Sequence, residues 1–308
     1  MQKEKISQIR VWSEKNSRTC DSSLNSLLAT FFENLRKFHE AFSQMDLALA
    51  KNPQNGNLYQ KIVWIAYQAK RLDEAEELLQ SSSARHPEDY RISRAAGLAQ
   101  LLKGENALAV KNLQKSLELK KDEEVTHFLL GYSLLGLAEK NMRNTDSGSD
   151  PLGSIQDELQ KAGEMPFFKE DSDFQEGKEL LNKGGFPRSL DKMELVLRRV
   201  RELQVEPASF SCLALSFVAD EDGIDQNEVD CTIAELKKKC EQGKEYPEIN
   251  NHLGLCFLIL WRSLFSQAQN QLGLAVKKDA KFQKARTNLE IVQSSDRRIS
   301  ALVKELKF

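Results

Sequence analysis

The sequence predicts an all-α protein in which antiparallel helix pairs stack into an α-solenoid. Long stretches are rich in Leu, Ala, Glu, Lys and Gln, and only seven prolines interrupt the 308 residues. These are strong helix formers, and no run of alternating β-branched residues competes with them. Several positions also recur every 34 residues, which is the length of two helices and a turn. Composition and period together therefore predict a stack of helical hairpins.

The period is visible in several independent columns. The columns are Ala29, Val63, Gly97 and Gly131 in the first helix, then Ala41, Ala75 and Ala109, Met45, Leu79 and Leu113, and Ala48, Ser82 and Ser116 in the second. Small residues let two backbones approach where the helices cross, and the large ones fill the space between pairs. Pro53 and Pro87 repeat at the same interval and end the second helix, because proline lacks an N–H and clashes with the preceding turn.

These columns resemble those of tetratricopeptide repeat proteins. The resemblance is specific from about Ser22 to Gly131. It returns from Pro247 to Asn288, where the matching residues are Leu253, Gly254, Phe257, Ala268, Leu272 and Ala275. It implies a right-handed superhelical solenoid whose concave groove holds a protein or peptide. In the second block the interval from Gly to Ala is two residues longer than in the first block, so we expect an extended turn there.

Four repeats are expected over residues 22–163, after an N-terminal arm or leading helix at 1–21. The first three are 22–55, 56–89 and 90–123. The fourth is interrupted at 143–152 by a polar Gly/Ser-rich stretch, which predicts an exposed loop. Such an insertion lengthens a surface turn at little cost to stability.

Residues 164–246 do not meet the family columns and are interpreted as degenerate helix pairs. The helices expected there are near 172–183, 188–204, 208–219 and 226–242. A hinge near 164–172 between two short stacks is the alternative. For residues 247–308 we expect a further repeat followed by capping helices that cover the last apolar face.

The first helices of such a stack line its concave wall, so the face that looks inwards gives the candidate binding residues. They are Gln60, Trp64, Tyr67, Arg91, Arg94, Leu98, Phe128 and Tyr132. Aromatic residues and arginines dominate binding hot spots, and two arginines one turn apart could fork onto a partner carboxylate. The alternative is that the aromatic residues pack between repeats and that the arginines pair with Glu88 and Asp89.

A non-catalytic adaptor that binds a partner protein or peptide is the leading functional hypothesis. Some proteins of this family clamp a chaperone's C-terminal carboxylate through Lys and Asn, but Ser26, Thr30, Gln60 and Trp64 stand at the matching places. That adaptor class is therefore disfavoured. A peptide-sensing regulator and a helical-repeat RNA-binding protein are the alternatives, although two arginines do not form the basic stripe that RNA requires.

Other functional classes lack a signal. The 46 acidic and 44 basic residues nearly cancel, so nucleic acid is not an expected partner. The four histidines are scattered, and Val229 stands where a calcium loop at 220–228 would need a glutamate. We therefore expect no enzyme activity, metal or cofactor. Neither a signal peptide nor a membrane-spanning stretch is apparent, and five cysteines without a CxxC pair suit a reducing compartment, so a cytoplasmic location is expected.

Overall fold

The computed structural model describes residues 21–143, 152–204, 208–218, 226–242, 247–278 and 283–303, together with seven residues between Ser7 and Asn16. The described residues between Ser7 and Asn16 are helical. From Ser22 onwards the helices are α1 (Ser22–Asn34), α2 (Phe38–Lys51), α3 (Asn57–Ala69), α4 (Leu72–Arg85), α5 (Tyr90–Lys103), α6 (Asn106–Leu119), α7 (Glu124–Arg143) and α8 (Leu152–Ala162). They are followed by α9 (Pro166–Glu170), α10 (Ser172–Asn182), α11 (Phe186–Gln204), α12 (Ala208–Val218), α13 (Gln226–Gln242), α14 (Pro247–Lys278) and α15 (Gln283–Val303). No strand occurs in these ranges, so the all-α prediction is confirmed.

The chain divides into two compact units. The repeat unit comprises residues 29–205, and the terminal unit comprises residues 1–28 and 206–308. In the repeat unit α3 packs on α4, α5 on α6, α7 on α8 and α10 on α11, and each pair from α3 to α8 contacts the next. This succession of helix pairs is an α-solenoid.

The turn inside a pair follows a common pattern. Arg36, Lys70, Gly104 and Gly184 all have left-handed backbone conformations, with φ between 57° and 78°. After each of them the next backbone N–H bonds to a carbonyl in the last turn of the preceding helix, as Arg71 N does to Ala66 O at 2.8 Å. This closure satisfies carbonyls that the end of a helix leaves free. The first three turn residues stand 34 positions apart, so the sequence period is also a period of backbone geometry.

The helix crossings show why the columns contain small residues. A Cβ atom added to Gly97 would lie 2.6 Å from Leu113 Cγ, and one added to Gly131 would lie 2.8 Å from Leu159 Cδ2. The facing alanines of the second helices, Ala41, Ala75 and Ala109, are fully buried. The close approach that the period predicts is therefore present in these pairs.

The pair α10 and α11 corrects one expectation. A Cβ on Gly177 would lie 2.8 Å from Met193 Cε, and Ser189 Oγ donates to Gly177 O at 2.8 Å. Met193 comes 34 residues after Leu159, so the period resumes once the inserted loop has passed. The expectation that residues 164–246 lack the family columns is wrong for this pair, because the loop shifted the count and concealed the match.

The expectation of a C-terminal repeat from Pro247 is also wrong. Residues Pro247–Lys278 form a single helix of 32 residues, α14, without the predicted turn. The stretch Trp261 to Gln267 contains neither Pro nor Gly, so nothing in it stops a helix. At Gly254 no described atom lies within 4 Å of an added Cβ, so this glycine does not mark a helix crossing. Within the terminal unit, α14 packs on α13 and α15.

Of the predicted loop at 143–152, residues 144–151 lie outside the described residues, as do residues 219–225 of the acidic stretch. Among the helices that the structure describes, none has the length and apolar character needed to cross a lipid bilayer.

Candidate functional site

The first helices of successive pairs lie side by side, since α3 contacts α5 and α5 contacts α7. We use the term inner face for the side of these three helices that carries the eight predicted residues. Gln60, Trp64 and Tyr67 lie on α3, Arg91, Arg94 and Leu98 on α5, and Phe128 and Tyr132 on α7. The spacing of the α3 residues, four and then three positions, places all three on one side of that helix.

The end of α11 lies against this face. α11 contacts α7, and near its C-terminal end Arg201 Nη2 donates to Glu33 Oε1 of α1 at 2.5 Å. The Arg201 guanidinium also lies 5.9 Å from the centre of the Trp64 ring. Trp64 is 6% and Gln60 3% exposed. The expectation that Trp64 is open to solvent is wrong, because a helix more than a hundred residues later in the chain reaches it through Arg201. Gln60 is buried as well.

The buried α3 side chains are poorly satisfied in this arrangement. Both amide atoms of Gln60, Trp64 Nε1 and Arg201 Nε have no hydrogen-bond partner among the described residues. A glutamine amide can donate two hydrogen bonds and accept two, and an indole can donate one. Burying such groups without partners is unfavourable, so within the described residues this spot has hydrogen-bonding capacity that is not used.

Neither arginine of the predicted fork is free. Arg91 Nε and Nη2 donate to the two carboxylate oxygens of Asp89 at 2.9 and 3.0 Å, and this pairing raises the pKa of Arg91. Arg94 is 7% exposed and donates from Nη1 to Glu123 Oε1 at 2.5 Å. The other oxygen of Glu123 accepts from Thr126 N at 2.7 Å, at the start of α7. The fork onto a partner carboxylate is thus not available, because both guanidinium groups already have a carboxylate.

Phe128 belongs to an aromatic cluster. Its ring centre lies 5.0 Å from that of Phe168 and 6.2 Å from that of Phe174, and Tyr132 stacks parallel to it at 6.3 Å. Phe128 is fully buried, as is Leu98. The short helix α9 supplies Phe168, so the sequence signal that was missed is Pro166-Phe167-Phe168, a proline start followed by two aromatic residues.

Tyr132 lies at the border between this cluster and α11. Burial raises the pKa of Tyr132 to about 12, and the carboxylates of Glu194 and Asp191 on α11 contribute in the same direction. Tyr67 differs from the other seven predicted residues because it is 45% exposed. Whether any of the eight contacts a partner stays a prediction. In this conformation Tyr67 is the most accessible of them.

His127 and His252 serve as hydrogen-bonding and packing groups. His127 Nδ1 lies 2.5 Å from Glu158 Oε2, and its Nε2 lies 2.8 Å from Lys121 O. His252 stacks on Phe210 in the terminal unit, with ring centres 4.2 Å apart. Within the described ranges, no group of three or more His, Cys, Asp or Glu side chains is arranged to hold a metal ion.

A family comparison agrees with this geometry. Residues 35–102 match the family model described as tetratricopeptide repeat, a stretch that runs from the turn before α2 to the end of α5. Residues 35–102 are therefore a tetratricopeptide repeat region. The matched stretch contains the turn at Lys70 and also Gly97, the glycine at a helix crossing. Sequence and backbone geometry therefore identify the same repeats.

Two solved structures are similar to this chain at low identity. One is a tetratricopeptide repeat protein from Parabacteroides merdae ATCC 43184, with 13% identity, a TM-score of 0.37, and coverage of 88% of this chain and 99% of that one. The other is a structure of Naa15/Naa10 bound to HypK-THB, with 11% identity and a TM-score of 0.35. That alignment covers 91% of this chain but 41% of the matched chain. No curated protein matches the sequence.

Proposed function

We propose that this protein is a non-catalytic scaffold or adaptor that binds a partner protein or peptide on its inner face. Tetratricopeptide repeats generally mediate protein–protein interactions, and the family is generally non-catalytic. Within the described residues Cys212, Cys231 and Cys256 form no disulfide, which suits a reducing compartment, and we propose the cytoplasm as the protein's location.

The observation that supports this proposal most directly is the stripe Gln60, Trp64 and Tyr67 on α3. Tyr67 is exposed, and the polar atoms of Gln60 and the indole N–H of Trp64 lack partners among the described residues. A peptide bond offers one donor and one acceptor, which a single glutamine amide can engage together. Aromatic side chains supply the contact area that dominates protein interfaces. The stripe therefore offers an exposed aromatic side chain, Tyr67, beside buried polar groups that have no partner within the described residues.

A photo-crosslinking experiment tests the site. A benzophenone amino acid replaces Tyr67 in one variant of the full chain. In the matched control it replaces Leu108, a residue 50% exposed on α6, the second helix of its pair. We expect one partner protein to be captured from position 67 and not from position 108. Equal capture from both positions, or retention of the partner after Tyr67→Glu, would show that the inner face is not the binding surface.

A further inference from the structure

Two groups converge on Arg201 from different helices. The Glu33 carboxylate, whose side chain is 11% exposed, accepts from Arg201 Nη2 at 2.5 Å, and the Trp64 ring lies 5.9 Å from the guanidinium. Glu33 and Arg201 are 168 positions apart in sequence, so the folded chain alone brings them together. A carboxylate and an aromatic ring are the groups that recognise a guanidinium in proteins, the first by paired hydrogen bonds and the second by its π face.

The rest of α11 is held elsewhere. Met193 packs on Gly177, Lys192 pairs with Asp173 at 2.9 Å, and Arg199 pairs with Asp171 at 2.7 Å, all on the α10 side. Beyond these anchors the helix reaches α1 and α3 through Arg201. The contact of Arg201 with Glu33 and Trp64 can therefore break while the α10–α11 pair stays assembled.

The hydrogen bonding of Arg201 between Glu33 and Trp64 is incomplete. A guanidinium can bind a carboxylate through two parallel N–H···O bonds, but Arg201 reaches Glu33 through Nη2, and its Nε is buried without a partner among the described residues. Trp64 Nε1 and the Gln60 amide beside it are also unpaired there. An arginine that entered from another direction could form both bonds to Glu33, and its backbone could satisfy Gln60.

We propose that Glu33 and Trp64 form a pocket for an arginine side chain, that Arg201 occupies it within the chain, and that an arginine of the bound partner replaces Arg201. This inference rests on the proposed function, because it names the partner's recognition residue. It gives the partner a definite chemistry, a segment with an accessible arginine whose flanking backbone lies along α3. It also makes the α11 contact a competitor that the partner must displace.

Binding of a small probe to the full-length protein tests the pocket. The probe is N-acetyl-arginine amide, with N-acetyl-lysine amide as its control, and the readout is the NMR signal of the Trp64 indole N–H, assigned by its loss in Trp64→Phe. The variants are Arg201→Ala and Arg201→Gln. Arg198→Ala is the matched control, since Arg198 lies one turn earlier, is exposed and pairs with Glu194 of its own helix. The second Arg201 variant retains side-chain bulk in case the first does not fold.

We expect the arginine probe to bind an Arg201 variant about tenfold more tightly than it binds the wild type or Arg198→Ala. The lysine probe should bind more weakly, and Glu33→Gln in the same background should abolish the difference. Equal affinity for wild type and Arg201 variants, equal binding of the two probes, or no effect of Glu33→Gln would each overturn the pocket.

The two proposals fail in different ways. If position 67 captures a partner whose binding survives both Glu33→Gln and alanine substitution of the partner's arginines, the arginine pocket is wrong and the scaffold function stands. If the arginine probe binds as expected while position 67 captures nothing, the pocket stands as an arginine site and the proposal that a partner binds along α3 at Tyr67 is wrong.

Discussion

Arg91 and Arg94 lie one turn apart on α5 but have different surroundings. Arg91 is partly exposed, and its partner Asp89 lies two residues away in the same turn. Arg94 and its partner Glu123 are both nearly buried, with side chains 9% and 12% exposed, and they join α5 to the start of α7. Sequence spacing alone placed both on the inner face. It could not show that Arg94 would pair with a carboxylate 29 positions away and become buried.

Replacing Arg94 by Ala should therefore destabilise the protein much more than replacing Arg91. Removing Arg94 leaves the Glu123 carboxylate buried without its counter-charge, which costs about 3 kcal/mol. Arg91→Ala removes a more exposed pair and should cost about 1 kcal/mol or less. Urea unfolding followed by circular dichroism measures both. Similar losses for the two variants would show that the Arg94 pair is solvated.

Tyr132 gives a prediction on pH. Its pKa is raised to about 12 in the folded chain from an ordinary value of 10, because burial disfavours the phenolate. The resulting stabilisation is complete below pH 10 and is lost as the pH rises from 10 towards 12. Over this window the wild type should lose more unfolding free energy than Tyr132→Phe, in which the ionisable group is absent. Parallel losses in the two proteins would argue that Tyr132 ionises as readily folded as unfolded.

Among whole helices, α11 shows how far the sequence could predict the site. Helix propensity and the break at Pro187 place a helix near 188–204, and the structure has it at Phe186–Gln204. The packing of α11 could not be predicted, because contacts between residues distant in sequence do not appear in local periodicity. That the side of α3 carrying Trp64 faces a partner stays a prediction. Its contact with α11 depends on Arg201 and Glu33, which belong to no repeat column.

The glycines of α5 and α14 should respond in opposite ways to alanine. At Gly97 an added Cβ would lie 2.6 Å from Leu113 Cγ, the branch point of a fully buried side chain. We expect Gly97→Ala to cost about 1–3 kcal/mol through overpacking. At Gly254 no described atom lies within 4 Å, so alanine should add helix propensity and stabilise by about 1 kcal/mol. Thermal unfolding of the two variants checks this, and destabilisation by Gly254→Ala would indicate a close neighbour at that position.

At the scale of the molecule, burial is unevenly distributed within each unit. In the repeat unit, α5 buries Ile92, Ala95, Leu98 and Ala99 at 1% exposure or less. In the terminal unit, α14 buries Leu255, Cys256 and Ile259, but none of its described side chains after Ile259 is buried. Trp261 and Leu264 are each 44% exposed. The predicted repeat would have covered this segment, and the continuous helix instead leaves it open.

This distribution predicts an order of amide hydrogen exchange. Exchange through local opening follows the stability of the local contacts, and segments with few buried apolar side chains open most readily. Amides of residues 265–278 should therefore exchange about 100-fold faster, or more, than those of 92–101 in α5. Residues 255–259 provide an internal control, since they belong to the same helix α14 and are anchored by three buried side chains. Mass-spectrometric exchange of the full chain should give protection in the order 92–101, then 255–259, then 265–278. Protection of 265–278 equal to that of 255–259 would mean that the second half of α14 is covered in solution, by another segment or another copy.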